Sequence, residues 1–269
     1  MAALPCYYIP HGGGPCFFMD WTLGPADTWE RMAAFLRGLL AELPARPRAV
    51  LMISAHWEAD PVRVNATATP ELIYDYYGFP PHTYQLRYPA PGSPELAGEV
   101  AALLRTAGIA AELDPAHGLD HGSFIPGMLI NPPADIPMVQ LSLHPGLDPG
   151  FHLALGAALA PLRAQGVLIL GSGMSYHNMA VLMRQPRENP AGDAFDAWLV
   201  DSCALPAAER ARRLSAWQQA PGGREAHPRE EHLLPLHVVA GAAGNATGTC
   251  IYHDRVLGAP VSAFAFGAG

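Results

Sequence analysis

The sequence predicts an α/β fold, a single three-layer α/β/α domain around a central sheet that is mostly parallel or mixed. Short apolar runs rich in β-branched residues alternate with helical patterns along the chain. The run AVLMISA at residues 49–55 is apolar without alternation, which is typical of a strand covered by helices on both faces. A length of 269 residues suits one domain of this kind, so we expect residues 1–269 to form it.

Seven apolar runs, bounded by turn-forming residues, are predicted to be the strands of this sheet. The stronger ones are residues 6–10, 48–56, 137–143 and 167–171. The weaker ones are residues 62–66, 249–253 and 262–266.

Helical patterns fill the gaps between these runs. Residues 26–43 carry large apolar side chains on one face, and residues 94–106 follow Ser93, a suitable N-cap. Further helices are predicted at residues 151–165, 192–204, 207–219 and 230–242. The segments 74–94 and 220–228 are rich in Pro, Gly and aromatic residues, and we expect them to be loops over a pocket.

The composition excludes several classes of partner. Sixteen basic residues stand against 24 acidic ones without any basic cluster, which argues against binding nucleic acid or an anionic membrane and favours a small-molecule ligand. The N-terminus lacks a basic region before a long apolar run, and no apolar run approaches the roughly 18 residues needed to span a bilayer. We therefore expect a cytoplasmic protein, whose oligomeric state the sequence does not fix.

The four cysteines and the glycine runs carry no recognisable cofactor motif. Cys6, Cys16, Cys203 and Cys250 form no CxxC pair and are interpreted as small buried hydrophobic residues without chemistry. The GGG run after His11 and the GSG run before His177 match neither GxGxxG nor GxxxxGK[ST]. Each glycine run indicates either a close approach of backbone or ligand, or a flexible turn.

Histidines at strand ends are the strongest functional signal. The chain has 12 histidines, and His11, His56 and His177 each follow a predicted strand, while His121 lies at a turn in LDHGS. The carboxyl ends of parallel strands meet at one edge of a sheet, where ligands bind. Imidazole is the commonest metal ligand, so this pattern predicts a metal centre at that edge.

The segment REEHLLPLHVV offers a further ligand. His232 opens a predicted amphipathic helix, whereas His237 lies about 140° around it and cannot easily share the same metal. Glu231 is an alternative oxygen donor, or simply an acidic residue that favours the helix dipole in the first turn.

Seven short motifs, taken in order, resemble one known family. They are PHGGGP, SAHW, YPAPGSPELA, DHGSF, DIPMVQLSL, GSG followed by HN, and EEHLLPL. Their order and spacing over residues 5–240 resemble the class III extradiol ring-cleavage dioxygenases of the LigB superfamily, most closely the DOPA-dioxygenase-type branch. The resemblance implies a non-haem Fe(II) enzyme that opens the ring of a catechol-type substrate with O2.

The resemblance also implies roles for five histidines. His11, His56 and His232 match the metal ligands of the family, His177 matches its acid/base histidine, and His121 matches a second pocket histidine. The chain departs from the family in its GGG run and in having His232 where protocatechuate-type enzymes have Glu. The carboxylate of the usual facial triad is therefore an open question.

The sequence allows more than one metal and more than one function. Fe(II) is expected, but a neutral three-histidine set binds Zn(II) as readily, so zinc can occupy isolated protein, with His177 as a possible fourth ligand. One rival function is a zinc hydrolase in which His177 or Glu231 serves as base. The other is a non-catalytic metal-binding interaction protein.

The other candidate residues carry weaker signals. His144 is expected to have a structural or surface role, and Arg87 is a weak candidate for meeting a substrate carboxylate. The aromatic loop contributes three side chains that either line a pocket or pack within the loop, namely His82, Tyr84 and Tyr88. Five histidines are expected to be solvent-exposed or packing residues, namely His117, His152, His227, His237 and His253.

Overall fold

The computed structural model describes residues 3–267, in which strands and helices alternate along the chain. The strands are β1 (Cys6–Pro10), β2 (Ala49–Glu58), β3 (Val62–Asn65), β4 (Ala111–Asp114), β5 (Met138–Leu143), β6 (Val167–Gly173), β7 (Gly248–Val256) and β8 (Ala259–Phe266). The helices are α1 (Glu30–Gly38), α2 (Pro94–Thr106), α3 (His121–Ile130), α4 (Pro149–Leu159), α5 (Pro161–Ala164), α6 (Met179–Leu182), α7 (Pro190–Cys203), α8 (Ala207–Ser215), α9 (Gly223–Ala226) and α10 (Leu234–Ala242).

The strands form one mixed sheet in the order β4-β3-β5-β2-β6-β1-β8-β7. Its centre is parallel, because β2 pairs with β5 and with β6, and β6 pairs with β1, all in the same direction. The antiparallel pairs lie towards the edges, between β1 and β8, β8 and β7, and β3 and β5. The predicted mostly parallel or mixed α/β sheet is confirmed.

Helices cover both faces of this sheet. Along β2, Leu51 and Ile53 pack into one core, with residues of α2, α4 and α10. Val50 and Met52 point the other way, into a core with residues of α1 and α3. The unbroken apolar run of β2 therefore has the cause inferred from the sequence, burial on both faces.

Four of the described elements were not predicted. Two are the single-turn helices α6 and α9, and α9 lies within the segment 220–228 that was expected to be a loop. The other two are β4 and α3. The short strand β4, AELD, lies at the edge of the sheet with two exposed residues, so it lacks an apolar run. Helix α3 contains Gly122, Pro126 and Gly127 and is buried nearly all round, so no amphipathic periodicity marks it. Asp120 caps α3, accepting a hydrogen bond from the backbone of Ser123.

Several predicted helices are shorter or divided. Within residues 26–43 the α-helix is confined to α1, followed by a 3-10 turn at Leu39–Glu42. Residues 151–165 divide into α4 and α5, with Pro161 opening the second helix because it cannot supply an N–H inside the first. Residues 207–219 form α8 and a 3-10 turn at Trp217–Gln219.

Over residues 3–267, no helix combines the length and the apolar content needed to cross a membrane.

The prediction for residues 230–242 was wrong in two respects. Helix α10 begins only at Leu234, so His232 lies in the turn before the helix. The helix is also not amphipathic, since all its residues except Gly241 are buried. It is enclosed by β6, β1 and α4, which leaves it no solvent face.

The cysteines are free thiols, and Cys6, Cys16 and Cys203 are buried as predicted, while Cys250 is partly exposed. Burial raises the pKa of Cys6 to about 11 and raises the pKa of the other three as well. These thiols therefore stay protonated and unreactive near neutral pH.

Candidate metal centre

Three histidines from distant parts of the chain meet at the carboxyl edge of the central strands. His11 directly follows β1, and His56 lies near the end of β2; both strands pair with β6 between them. The Nε2 atoms of His11 and His56 are 3.1 Å apart. One nitrogen from each of these two and one from His232 lie within 4.8 Å of one another. Three imidazoles at this separation can bind a single ion.

Glycines in β6 allow His232 to reach this group. A Cβ on Gly173 would lie 2.1 Å from the carbonyl oxygen of His232, and one on Gly171 would lie 2.5 Å from that of Pro235. The carbonyl of His232 also accepts a hydrogen bond of 2.8 Å from the Tyr8 hydroxyl. Of the two interpretations of the GSG run, close approach is confirmed, and the approaching group is the backbone that opens α10.

The glycines after His11 form a defined turn. Gly12 and Gly14 have positive φ angles of 80° and 57°, which favour glycine. A Cβ on Gly12 would lie 2.5 Å from Cys16 Sγ, so the turn also packs closely on the following 3-10 turn.

The three ligand candidates have partners on their Nδ1 side. The Nδ1 of His11 lies 3.0 Å from Ser172 Oγ, whose own hydroxyl donates to the carbonyl of Gly122. Ser172 therefore accepts from His11 Nδ1–H, which leaves the Nε2 lone pair of His11 free. Likewise His232 Nδ1 donates to Glu231 Oε1 at 2.9 Å, and His56 Nδ1 faces Asp75 Oδ2 at 3.6 Å. The two hydrogen bonds fix His11 and His232 in the tautomer in which Nε2 is free to bind a metal.

Burial keeps these imidazoles neutral. It lowers the pKa of His11 and of His232 well below the usual value, and the neighbouring histidines lower both further. Burial, and then the charge of His121, lowers the pKa of His56 to about 3, even though Asp75 acts in the opposite direction. Neutral imidazoles with free lone pairs suit a divalent cation, so the donor set fits a metal.

His121 and His177 lie beside the three ligand candidates. His121 is the first residue of α3, and its ring centroid is 3.9 Å from that of His56. His177 lies four residues beyond β6, and its ring stacks on His232 at 3.3 Å between centroids and 13° between planes. The structure thus brings all five predicted histidines together.

Two carboxylates face this cluster. Asp75 Oδ1 accepts hydrogen bonds from His121 Nδ1 at 2.8 Å and from the His121 backbone at 2.9 Å. Burial alone would raise the pKa of Asp75, but these bonds and the charges of His121 and His56 lower it below its usual value. On the other side, Glu231 Oε1 lies 3.5 Å from His177 Nδ1 as well as bonding His232.

Sequence reasoning missed Asp75 and Ser172. Asp75 follows no strand, although it is the only acidic residue of the aromatic segment 74–94. That isolation was a usable signal. Ser172 lies inside the GSG run, whose glycines drew attention instead, and its bond to His11 joins residues 161 positions apart.

Aromatic side chains border the cluster on the side of His121. Tyr76 meets His121 edge to face at 5.8 Å between ring centroids. The hydroxyls of Tyr74 and Tyr76 bond the carbonyls of Leu86 and Thr83, both at 2.6 Å. Among the weaker candidates, Tyr88 is a packing residue buried against α3, His82 donates to the carbonyl of Phe18, and Arg87 is exposed.

The other histidines have structural contacts. Three are fully buried and bond a backbone carbonyl: His152 to Asp148, His227 to Ser175, and His237 to Leu214. His117 stacks on Trp57 at 3.7 Å. His144 is partly exposed and lies beside Asp60, and His253 is exposed and lies beside Asp196.

A family model described as the catalytic LigB subunit of aromatic ring-opening dioxygenase matches residues 5–264. The chain belongs to the LigB family. Among curated relatives, the 4,5-DOPA dioxygenase extradiol of Beta vulgaris is 43% identical over 78% of this chain and 78% of its own length. The dioxygenase tasH of Hapsidospora irregularis is 36% identical over 99% of this chain and 86% of its own length.

A solved structure supports the same assignment for this LigB-family protein. The crystal structure of the uncharacterized protein JW3007 from Escherichia coli K12 superimposes with a TM-score of 0.76 and 30% identity, covering 98% of this chain and 100% of the other. The family and its relatives make this protein an extradiol ring-opening dioxygenase, an oxidoreductase acting on a small molecule with O2. Enzymes of the family depend on a metal, and the group of His11, His56 and His232 could hold one.

Proposed function

We propose that this LigB-family enzyme is a non-haem Fe(II)-dependent extradiol dioxygenase that cleaves the ring of a catechol-type substrate, with His11, His56 and His232 holding the metal. The observation that carries the proposal is that the Nδ1 atom of each of these three histidines faces a side-chain oxygen. Ser172 and Glu231 accept from His11 and His232, and Asp75 faces His56, so three Nε2 lone pairs are available to one ion.

Three neutral protein ligands leave room for substrate and oxygen. When bound, Fe(II) supplies open coordination positions for a catechol and O2 and lets electron density pass between them, which removes the spin barrier to their reaction. Zn(II) fits the same nitrogens, so we expect it to occupy isolated enzyme without supporting ring cleavage.

We assign proton transfer to His177. Its Nδ1 lies beside Glu231, so Nε2 is the nitrogen available to substrate. A neutral imidazole at this position takes a proton from a catechol hydroxyl as general base and later returns it as general acid.

His121 has the second polar role. Its Nδ1 donates to Asp75, which leaves Nε2 as an acceptor beside His56. We propose that this nitrogen would orient a substrate hydroxyl or O2. Tyr76, edge to face with His121, forms part of an aromatic border suited to an aromatic substrate.

The test is anaerobic loading with Fe(II), addition of 3,4-dihydroxyphenylalanine, and then admission of O2. We expect a yellow ring-cleavage chromophore to grow while O2 is consumed in equal amount. Enzyme loaded with Zn(II) is the matched control and should show neither signal. Hydrolytic activity that appears only with Zn(II) would instead support the zinc hydrolase. No ring cleavage across a panel of catechols would support the non-catalytic interpretation.

The remaining expectations from the sequence stay predictions. They are a single catalytic domain over residues 1–269, a cytoplasmic location, and the absence of nucleic-acid and membrane partners.

A further inference from the structure

Asp75 contacts two of the site histidines from a loop that belongs to neither of their elements. Oδ1 bonds both the ring and the backbone of His121, the first residue of α3. Oδ2 lies 3.6 Å from Nδ1 of His56, near the end of β2. One carboxylate thus joins a ligand candidate to a proton-handling candidate.

The loop holds Asp75 firmly in this position. Its neighbours on both sides, Tyr74 and Tyr76, bond backbone carbonyls through their hydroxyls at 2.6 Å. Both tyrosine rings also pack against Phe124 of α3. The segment around Asp75 is therefore fixed to the same helix that carries His121.

Capping of α3 does not by itself account for these contacts. Asp120 already caps the helix by accepting from the backbone N–H of Ser123 at 3.1 Å. The ring of His121 and the Nδ1 of His56 gain nothing from a helix cap, yet Asp75 faces both. The contacts of Asp75 therefore orient the rings of His121 and His56.

Glu231 makes the corresponding contacts on the other side of His11. It bonds His232 at 2.9 Å and lies 3.5 Å from His177, whose ring stacks on His232. Each carboxylate therefore faces one ligand candidate and one proton-handling candidate. Since the three ligands are neutral, the two carboxylates place negative charge just outside the ligand set instead of within it.

We infer that Asp75 is a positioning residue that couples the metal-holding His56 to the proton-handling His121; the inference rests on the function proposed above. Through Oδ2, which lies 3.6 Å from Nδ1 of His56, its negative charge favours the tautomer with the proton on Nδ1 and raises the basicity of Nε2. Through Oδ1 it fixes the ring of His121 so that Nε2 faces the reacting groups.

The experiment compares Asp75→Asn with Glu71→Gln. Both changes remove one negative charge from the same loop, but Glu71 is exposed and its side chain makes no hydrogen bond within residues 3–267. The metal-free proteins are first compared by thermal unfolding. Co(II) affinity is then measured by competition with a chelator, and kcat and KM are measured with Fe(II) and 3,4-dihydroxyphenylalanine.

We expect Asp75→Asn to weaken Co(II) binding by about 10- to 100-fold and to lower kcat by a similar factor, with KM nearly unchanged. Glu71→Gln should match the wild type in every measurement. In a His121→Ala background, Asp75→Asn should still weaken Co(II) binding but should lower kcat no further, because its effect on kcat passes through His121.

Three results would overturn the inference. They are a Co(II) affinity equal to that of Glu71→Gln, an undiminished effect on kcat when His121 is already absent, and a loss of metal-free stability that accounts for the weaker binding. Failure of the proposed function is distinguishable. In that case the wild-type iron enzyme cleaves no catechol, while Co(II) affinity still decides whether Asp75 supports the metal-holding histidine.

Discussion

Single residues in the site are oriented by the partners of their Nδ1 atoms. Ser172 donates to a backbone carbonyl and so can only accept from His11, while Glu231 can only accept from His232 when it is ionised. Both contacts therefore leave the Nε2 lone pairs for a cation. Asp75 and Glu231 lie directly beside the three proposed ligands, so carboxylate charge is close to the proposed metal position.

Replacing His177 by Ala tests the division between metal binding and proton transfer. We expect His177→Ala to keep its metal but to lower kcat by about 10²- to 10⁴-fold, the usual effect of losing a general acid–base. Metal content by elemental analysis and ring cleavage at saturating substrate provide the check. His253→Ala, a change at an exposed histidine far along the chain, is the control. A metal-free His177→Ala protein would show that His177 is a ligand and not the base.

Among the elements, α10 is fixed at both ends, and its first end positions His232. The turn before it lies against Gly171 and Gly173 of β6. At the other end, the buried Arg210 donates to the carbonyls of Ala240 and Gly244. These bonds satisfy carbonyls that the helix leaves unpaired, so a buried helix and a buried cation stabilise each other.

The close approach at Gly173 makes a sharp prediction. Gly173→Ala would put a Cβ 2.1 Å from the carbonyl of His232, so the turn must move away from β6. We expect this variant to unfold at lower temperature and to bind Co(II) at least about 10-fold more weakly, since His232, a proposed ligand, is displaced.

Gly98→Ala is the matched control for that substitution. Gly98 lies within α2, and a Cβ there would meet nothing within 4 Å. We expect a gain of roughly 0.5–1 kcal/mol in the free energy of unfolding and unchanged metal binding. Equal metal affinity in the Gly173 and Gly98 variants would contradict the role given to α10.

The molecule as a whole buries several neutral histidines, which ties its stability to pH. His152 lies in α4 away from the site, with Asp148, His144 and His237 as its titratable neighbours. Burial lowers its pKa to about 4, although its bond to the carbonyl of Asp148 acts in the opposite direction. In the unfolded chain, the pKa of a histidine is roughly 6.5.

Acid should therefore destabilise the fold through His152. Below about pH 6.5, His152 is protonated in the unfolded state but stays neutral in the folded state. The free energy of unfolding therefore falls as pH falls towards 4. In urea unfolding of metal-free protein, we expect the loss between pH 7 and pH 4.5 to be smaller in His152→Gln by roughly 2–3 kcal/mol. Identical losses in the two proteins would refute this linkage.

The sequence by itself determined the parallel core of the sheet and the histidines at its edge. Apolar runs are local signals, and β1, β5 and α2 were placed to within about one residue. The carboxyl ends of parallel strands share one edge, so His11 and His56 were expected at the same edge once those strands were recognised. Helix α3 was not predicted because it is buried on nearly all sides. It therefore lacks the alternation of polar and apolar residues on which a periodicity argument depends.

The tertiary structure decided which groups surround those histidines. His232 reaches them from a turn because two glycines lack a side chain, and the sequence shows the glycines but not what fills the space. Ser172 and Asp75 meet their histidines from distant segments, 161 positions away from His11 and 46 positions away from His121. Hydrogen bonds over such separations leave no local pattern in the chain. The grouping of the candidate histidines was therefore predictable, whereas the hydrogen-bond partners of their Nδ1 atoms depend on contacts that only the folded chain creates.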